Sequence, residues 1–526
     1  MVDSLVQEEG LKEILPDNTL KTFVPQVEVP YVVRPAPPRY RNEIAKYIIR
    51  RSDDCILCGK CARVCPQGVH VLKPGYKYFA APQHQVCIGP ACQGTDHYCV
   101  ELCPQKALHM LENPMMQALG DYRWTADMIL ATWEMAETGD LPSPEYGYAY
   151  QCGNSGGGFD RIRFRFPDKP LVELRDDEID MGIELNRRND GRPRIRIDVP
   201  WYGGGMSFGS VSNVVQLSKA RAAVASNTFT CTGEGGYMER LRPYDEHNIT
   251  QVATGLFGVC EETIQRVPIV EFKYAQGAKP GLGGHLLGDK ITPAVARIRE
   301  TVLGRSLFSP FPFHSVYSIE DHKKHIDWIK HVNRRALVST KVSTPTDVDM
   351  VAVGSYSAGT HIVHLDGGYG GTGAAPDIAK KNIAMPIEYA IVKVHDFLEK
   401  EGIRDHVTLI ASGGIRTLHD MAKAIALGAD GVVVGTSELV ALGCLRCGRC
   451  ESGRGCPRGI ATTDAELSGL ISVEWGTQRI INLHNAWRKE LIGILRSFGM
   501  RSVSELRGRT DLLMHLDYTD YVGYKR

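Results

Sequence analysis

What this 526-residue sequence lacks excludes several classes of function. It has no net charge, with 61 Lys and Arg against 61 Asp and Glu. No global field therefore draws it to nucleic acid or an anionic membrane, and recognition has to come from local clusters. It has no run of about eighteen apolar residues, the length that crosses a bilayer. Its N-terminal MVDSLVQEEGLKEIL is acidic where an export signal would be basic and then apolar. A cytoplasmic protein with no nucleic-acid or membrane partner is the expectation. A disulfide framework is missing too, because twelve of the 15 cysteines fall into three tight groups, the spacing of metal ligands. Cys152, Cys231 and Cys260 stand apart and are expected to be packed thiols.

The length suits two or three units, one of them large enough for a barrel. Residues 1–50 hold a proline-studded stretch, VPQVEVPYVVRPAPPRY, that can only be extended or loop-like and is expected to wrap a neighbouring surface; a short helix, RNEIAKYIIR, follows. Residues 51–112 contain the first two cysteine groups. Cys55, Cys58, Cys61 and Cys65 are separated by two, two and three residues and followed by Pro66. That spacing aims three thiolates at one iron-sulfur cube and gives the fourth to another. Cys87, Cys92, Cys99 and Cys103, followed by Pro104, repeat the pattern with wider spacing and mark an internal duplication. A pair of zinc sites is the alternative. Residues 113–149 read as a helical linker whose Met and Trp residues pack.

From residue 150 to 470, strand-like runs (RIRIDVPWYGG, VPIVEFKYA, ALVSTKV, HIVHLDGG, VTLIASGG, GVVVGT) alternate with helical stretches (SVSNVVQLSKARAAVA, ITPAVARIRETVL, SIEDHKKHIDWIKHV, TLHDMAKAIALG). This is α/β patterning, parallel strands with crossover helices, and predicts a (β/α)8 TIM barrel behind an N-terminal α+β ferredoxin-like two-cluster domain. The last two strands end in Ser412-Gly413-Gly414 and Gly435-Thr436, where glycine lets backbone N–H groups approach a phosphate, as FMN would require. Cys444, Cys447, Cys450 and Cys456 follow directly, so a third cluster is expected beside that phosphate site. Residues 471–526 form a tail whose amphipathic helix puts Ile480, Trp487, Leu491 and Ile494 on one face. One more stretch stands out, EFKYAQGAKPGLGGHLLGDKITPAVARIR, because Lys273, Lys279 and Arg299 surround a glycine-rich turn and would suit a dicarboxylate or phosphate.

Several of these motifs carry a family resemblance. GGGMSFGSVS, CTGEGG, ITQVATGLFGV, EFKYAQGAKPGLGGH, DGGYGGTGAAP, ASGGIRTLHD, VVVGTSELVALGC and CPRGIAT resemble the FMN-binding synthase domain of glutamate synthase, in order, over about residues 150–512. The N-terminal module is similar to a bacterial two-cluster ferredoxin, as in the short archaeal-type form of that enzyme. The resemblance implies reductive amination of 2-oxoglutarate by ammonia, through 2-iminoglutarate and reduced FMN, to L-glutamate. It implies one [4Fe-4S] cluster on Cys55, Cys58, Cys61 and Cys103 and a second on Cys87, Cys92, Cys99 and Cys65. The barrel cluster has four cysteines where the large form has three, so [4Fe-4S] is expected over [3Fe-4S], with Cys447 the extra ligand. Met206, Ser207, Gly209 and Ser210 would approach flavin and substrate. Gln251 and Lys341 would line the flavin, Gly370, Gly371 and Thr372 would belong to the cofactor site, and Ser412, Gly413, Gly414, Gly435 and Thr436 would hold the phosphate. Lys273, Lys279 and Arg299 would take the two substrate carboxylates, with a polar contact from Gln276, and Glu234 would handle protons. The large form begins with a glutamine-hydrolysing cysteine; here Val2 follows Met1, so ammonia is expected from a separate glutaminase subunit or from solution. Ferredoxin or an NAD(P)H-oxidising reductase subunit would supply electrons, in a hetero-oligomer. An N-methylglutamate synthase and a non-catalytic electron-transfer subunit are the other readings.

Overall fold

Eight short strands form one parallel sheet in a computed structural model that describes residues 27–516, apart from 40–43, 74, 76, 77, 154, 156, 171, 310–312 and 452. They are β1 (Trp201–Gly203), β2 (Thr230–Cys231), β3 (Asn248–Ala253), β4 (Ile269–Lys273), β5 (Leu337–Ser343), β6 (Ile362–Asp366), β7 (Thr408–Ser412) and β8 (Gly431–Val434). From β2 to β8 neighbours in sequence are neighbours in the sheet, and β8 pairs with β1. The Gly203 N–H donates to the Phe229 carbonyl at 2.8 Å, closing the expected (β/α)8 barrel. Apolar runs mark six of the strands. β2 is too short to show a pattern, and β3, NITQVA, buries three polar residues, so neither reads as apolar.

The crossovers are helical where a 3.6-residue period predicts them. Asn213–Ala225, Ile319–Val332 and Leu418–Ala426 begin at Ser212, Ser318 and Thr417, whose side chains accept the N–H of Val215, Asp321 and Asp420. The helix expected across ITPAVARIRETVL stops early. It spans Pro293–Arg299 and ends where Glu300 turns left-handed, at φ 52°.

One expectation is overturned at the N-terminal module. The stretch read as a short helix, RNEIAKYIIR, is a strand over Tyr47–Arg51, antiparallel to Leu108–Glu112, while residues 41–43 lie outside the described residues. Paired Ile side chains suit a pleated surface, and the hairpin partner lies on the far side of both cysteine groups, where a local helix pattern cannot register it. Cys260 also departs from expectation: it is exposed, whereas Cys231 is buried and Cys152 half-buried.

The helix Val473–Ser497 fixes the other pieces in place. Ile480, Trp487, Leu491 and Ile494 are buried as the pattern predicts, and Trp487 packs edge-on to Trp201 of β1, ring centroids 5.7 Å apart. Arg479 donates to the carbonyls of Ala36, Ala441 and Trp133, and Asn482 to those of Arg34, Ala136 and Glu137. The proline-studded segment, described from residue 27, is thereby laid along this helix together with the linker helix Ala126–Thr138. No helix among the described residues is long and apolar enough to cross a membrane.

At the opposite end of the barrel from the glycine turns, Asp430 meets Arg187 at 2.9 Å, Arg404 at 3.0 Å and Arg507 at 3.1 Å. Burial pushes its carboxyl up, but the three guanidiniums outweigh burial and hold it down at about 2. A carboxyl depressed on folding stabilises the protein above its unfolded pKa of about 4 and loses that contribution as pH falls toward its folded value. Denaturant unfolding of Asp430→Asn measured from pH 6 to pH 2 is therefore expected to show a flatter loss of stability than the parent chain between about pH 4 and pH 2.

Candidate active site

All the glycine-rich and cationic motifs leave the carboxyl ends of the strands, the end at which barrel loops converge. After β2 and β4 they build an anion pocket. Lys273, the last residue of β4, bonds to Glu234 at 2.7 Å with both side chains buried. Lys279 lies beside them, and burial, then the neighbouring Lys273, push its ammonium down to about 8. Arg299 is 2% exposed and donates from Nη2 to Ser207 Oγ at 2.7 Å and to the Phe208 carbonyl at 3.1 Å. Burial pushes it down to about 10. Its Nε and Nη1 have no acceptor among the described residues, and neither does Gln276 Nε2. A Cβ at Gly235 would stand 2.8 Å from the Arg299 guanidinium, so only glycine admits this approach. Lys273, Lys279, Glu234 and Gln276 line one small pocket with Thr254 and Ser309. Met206, Ser207, Gly209 and Ser210 lie on the loop after β1, beside Arg299 and the β2 turn.

After β6, β7 and β8 the loops enclose a larger cavity of about 460 Å³. Gly370, Gly371, Thr372, Gly414 and Thr436 line it, and so do Cys444, Cys447, Cys450 and Cys456. Gly413 and Gly414 have φ +92° and +83°, which turns the backbone sharply after β7, and no atom lies within 4 Å of where a Cβ at Gly435 would be. Two residues that the sequence did not mark, Arg123 and Arg446, are built into this wall. Arg123, from the linker, donates to the Gly414 carbonyl at 3.2 Å and stacks over the Tyr369 ring at 4.6 Å. Arg446 donates to the Gly371 carbonyl and to Asp121, tying the cysteine loop to the linker. No spacing in the chain singles out Arg123, since its partners are about 250 to 290 residues away.

Two expected cofactor residues turn inward. Ser412 occupies a barrel-facing position of β7, and its Oγ contacts His364 Nε2 at 2.7 Å and donates to Asp366 Oδ1 at 2.6 Å. Gln251 of β3 donates to Glu271 Oε1 at 2.7 Å. Their side chains are committed to the barrel interior, so the turn after β7 has only the Ser412 backbone to offer a ligand. Lys341 projects from β5 toward Asp366, 3.2 Å away. Burial pushes Glu271 up, but His364, Lys341 and Gln251 together bring it down to about 2. Glu271, His364 and Asp366 were not singled out in the sequence, and the signal that could have found them is an ionisable residue inside an apolar strand.

In the N-terminal module Cys55, Cys58, Cys61 and Cys103 line one small cavity, with Cys58 exposed. Cys65 lies instead with the other group. Burial and then the neighbouring Cys65, Cys87 and Cys92 push the Cys99 thiol up to about 12. Around the barrel cavity, burial and then Cys450 and Cys456 push Cys444 to about 11. Sulfurs that oppose one another's ionisation in this way are a donor set that a cationic cluster would deprotonate.

Similarity to known proteins points the same way. The family described as "Conserved region in glutamate synthase" matches residues 166–501, and "4Fe-4S binding domain" matches residues 48–69. An archaeal-type glutamate synthase [NADPH] of Thermotoga sp. (strain RQ2) is 35% identical over 497 residues, covering 90% of this chain and 96% of that protein. The archaeal glutamate synthase [NADPH] of Methanocaldococcus jannaschii is 35% identical over 502 residues, 91% of this chain and 95% of that one. The glutamate synthase [NADPH] large chain of Azospirillum brasilense is 37% identical over 320 residues, 59% of this chain but 21% of that protein.

The placement of Cys65 can be tested directly. Cys65→Ser is expected to perturb the electron paramagnetic resonance signal that Cys99→Ser perturbs and to spare the one altered by Cys55→Ser. The opposite grouping would mean that each motif keeps its own four thiols.

Proposed function

The chain belongs to the glutamate synthase family, and from that premise we propose that it is the iron-sulfur flavoprotein subunit that reductively aminates 2-oxoglutarate to L-glutamate. One observation carries the reading. Three buried cations, Lys273, Lys279 and Arg299, face the single carboxylate of Glu234, which leaves two positive charges for the two carboxylates of 2-oxoglutarate. The partnerless donors on Arg299 and Gln276 favour the same ligand, because a buried donor without an acceptor is costly. A subunit that only relayed electrons would have no use for such a pocket.

Ammonia adds to the keto carbon and water leaves, giving 2-iminoglutarate. Glu234, held in the pocket by Lys273, can accept and return a proton in that step. The cavity and glycine turns fit FMN, with Gly413, Gly414, Gly435 and Thr436 presenting backbone to its phosphate and Gly370, Gly371 and Thr372 beside them. When bound, FMN supplies the hydride that converts the imine to the amino acid. Lys341 on the inner wall of the barrel favours negative charge nearby. Met206, Ser207, Gly209 and Ser210 are suited to separate the two sites, since Ser207 already receives Arg299. Cys55, Cys58, Cys61 and Cys103, together with Cys65, Cys87, Cys92 and Cys99, would hold two [4Fe-4S] clusters in the N-terminal module, and Cys444, Cys447, Cys450 and Cys456 a third, which would supply a route for electrons toward the barrel. The donor is ferredoxin or a nicotinamide-oxidising subunit, in keeping with the NADPH in the relatives' names. A separate glutaminase subunit provides ammonia, in a hetero-oligomer.

Adding 2-oxoglutarate and ammonia to the dithionite-reduced protein is expected to reoxidise its flavin, and an unchanged flavin spectrum in protein with full clusters would refute the reading. Lys279→Ala is expected to weaken 2-oxoglutarate binding by about 3 kcal/mol, the order of a broken buried charge pair, or about 100-fold in Kd, without loss of FMN. Titration calorimetry checks both this and its pH dependence. A lysine depressed to about 8 loses its proton above that value, so the parent's affinity is expected to fall as pH rises through about 8 while the variant's stays flat. Cys447→Ser is expected to leave a three-iron cluster, visible as a new paramagnetic signal in the oxidised protein.

A further inference from the structure

Inside the barrel, below the loops, four ionisable side chains and one hydroxyl form an unbroken chain of which the reaction outlined above uses only Lys341. It runs from Glu271 on β4 to His364 on β6, then through Ser412 on β7 to Asp366 at the end of β6 and Lys341 on β5. His364 Nδ1 is 2.9 Å from Glu271 Oε2, and Nε2 is 2.7 Å from Ser412 Oγ. Ser412 Oγ is 2.6 Å from Asp366 Oδ1, and Asp366 Oδ2 is 3.2 Å from Lys341 Nζ. Every ionisable member except Asp366 is less than 9% exposed, and Asp366 is 13% exposed at its side chain.

The proton count in this chain is constrained. A serine hydroxyl has one hydrogen to give. Asp366 faces Lys341 and accepts the Gly277 N–H at 3.1 Å, as a carboxylate does, so the short contact from Ser412 uses the serine's hydrogen. Ser412 therefore presents a lone pair to His364, and Nε2 must carry a hydrogen. At the other end Glu271 accepts from Gln251 at 2.7 Å and from Ser339 at 2.9 Å, again as a carboxylate, so Nδ1 must carry a hydrogen as well. An imidazole with hydrogen on both nitrogens is charged. The electrostatics agree with the geometry. Two carboxylates against Lys341 alone would leave an unanswered negative charge in a dry interior, and a charged His364 brings the chain to neutrality.

We propose that His364 is held as a buried imidazolium and that, with Asp366, it is a positioning pair for Lys341, setting the net charge that the barrel presents to the cofactor site. The second half rests on the FMN reading, because Lys341 matters to a flavin only if one is bound. The pairing leaves Lys341 tethered and half-neutralised by Asp366, while His364 through Ser412 keeps Asp366 aimed at it. Removing a negative member should favour the reduced, anionic flavin, and removing a positive member should disfavour it.

The test combines flavin midpoint potentials by spectroelectrochemistry with denaturant unfolding of the cofactor-free protein. Asp366→Asn is expected to raise the potential and His364→Gln to lower it. Glu271→Gln combined with His364→Gln restores neutrality and is expected to return the potential toward the parent's. Simple loosening of the site would move all three the same way. If His364 is neutral, His364→Gln leaves the potential where it was, and that result would overturn the proposal. In unfolding, the double variant is expected to be more stable than either single one, and additive losses would overturn the imidazolium without any flavin being involved. Should His364→Gln fail to fold, Ser412→Ala, which keeps every charge but cuts the link, is expected to weaken FMN binding and leave the sign of no charge altered; an unchanged FMN affinity would then overturn the positioning role. A parent protein that takes up no FMN contradicts the proposed cofactor and leaves the unfolding cycle to decide His364.

Discussion

A dry interior tolerates charge only in balance, and that constraint orders this molecule from one end of the barrel to the other. At the closed end, Asp430 is surrounded by Arg187, Arg404 and Arg507. Along the flank, Arg416 is fixed by Asp160 at 2.6 Å and Asp420 at 2.8 Å. In the middle, Glu271, His364, Asp366 and Lys341 alternate in sign. At the loop end Lys279 and Arg299 are buried with no ion pair among the described residues, whereas Arg123, Lys423 and Arg479, also buried without an ion pair, donate to backbone carbonyls. The imbalance is informative because buried cations elsewhere are answered by a carboxylate or a backbone carbonyl. A surplus of cations on a surface means little, whereas a surplus within a closed pocket requires an anion.

The same loop end keeps two groups of motifs apart within one barrel. The anion pocket hangs on β2 and β4, while the glycine turns and the third cysteine group hang on β6 to β8. The loop after β1 lies between them, with Ser207 bonded to Arg299 on one side and Gly204 against Val433 and Gly435 on the other. Strand order alone thus separates the site proposed for a dicarboxylate from the site proposed for the phosphate, with a glycine-rich loop between them.

Much of this was legible in the sequence, and the reasons are local. Cysteine spacings, glycine turns at strand ends and the amphipathic face of Val473–Ser497 depend on residues a few positions apart, so a pattern can register them. The crossing of Cys65 to the second group is legible through the same ferredoxin-like spacing, although only the fold shows the sulfurs adjacent. What escaped depends on partners distant in sequence. Arg123 enters the glycine turn after β7 from the linker, Tyr47–Arg51 finds its strand partner beyond both cysteine groups, and β2 is too short to have a period. Ser412 was assigned to the phosphate because it precedes two glycines, but alternation along β7 points its side chain into the barrel. His364 and Asp366 stand in an apolar strand, where their meaning depends on the charges of two other strands, Glu271 on β4 and Lys341 on β5.

Electron delivery adds a demand that neither pocket makes, which is rigidity between modules. The linker helix meets it. Trp133 donates from Nε1 to the Val440 carbonyl at 2.8 Å, just before Cys444, and Leu119, Trp124 and Met128 pack with Tyr148, Tyr150, Cys444 and Leu445 in one apolar cluster. On the other side Tyr47 lies between Cys87 and Asp127, and the stacked rings of Tyr146 and Tyr148, 5.4 Å apart, continue the seam. A seam of packed aromatic and aliphatic side chains with no room to repack holds two modules at one distance. It also gives the N-terminal module a direction. The group that includes Cys87 and Cys65 faces the linker, and the group with exposed Cys58 faces outward. The order of sulfurs along the molecule, from solvent through the seam to the barrel cavity, is therefore set by side-chain packing that begins at a helix the cysteine pattern never touches.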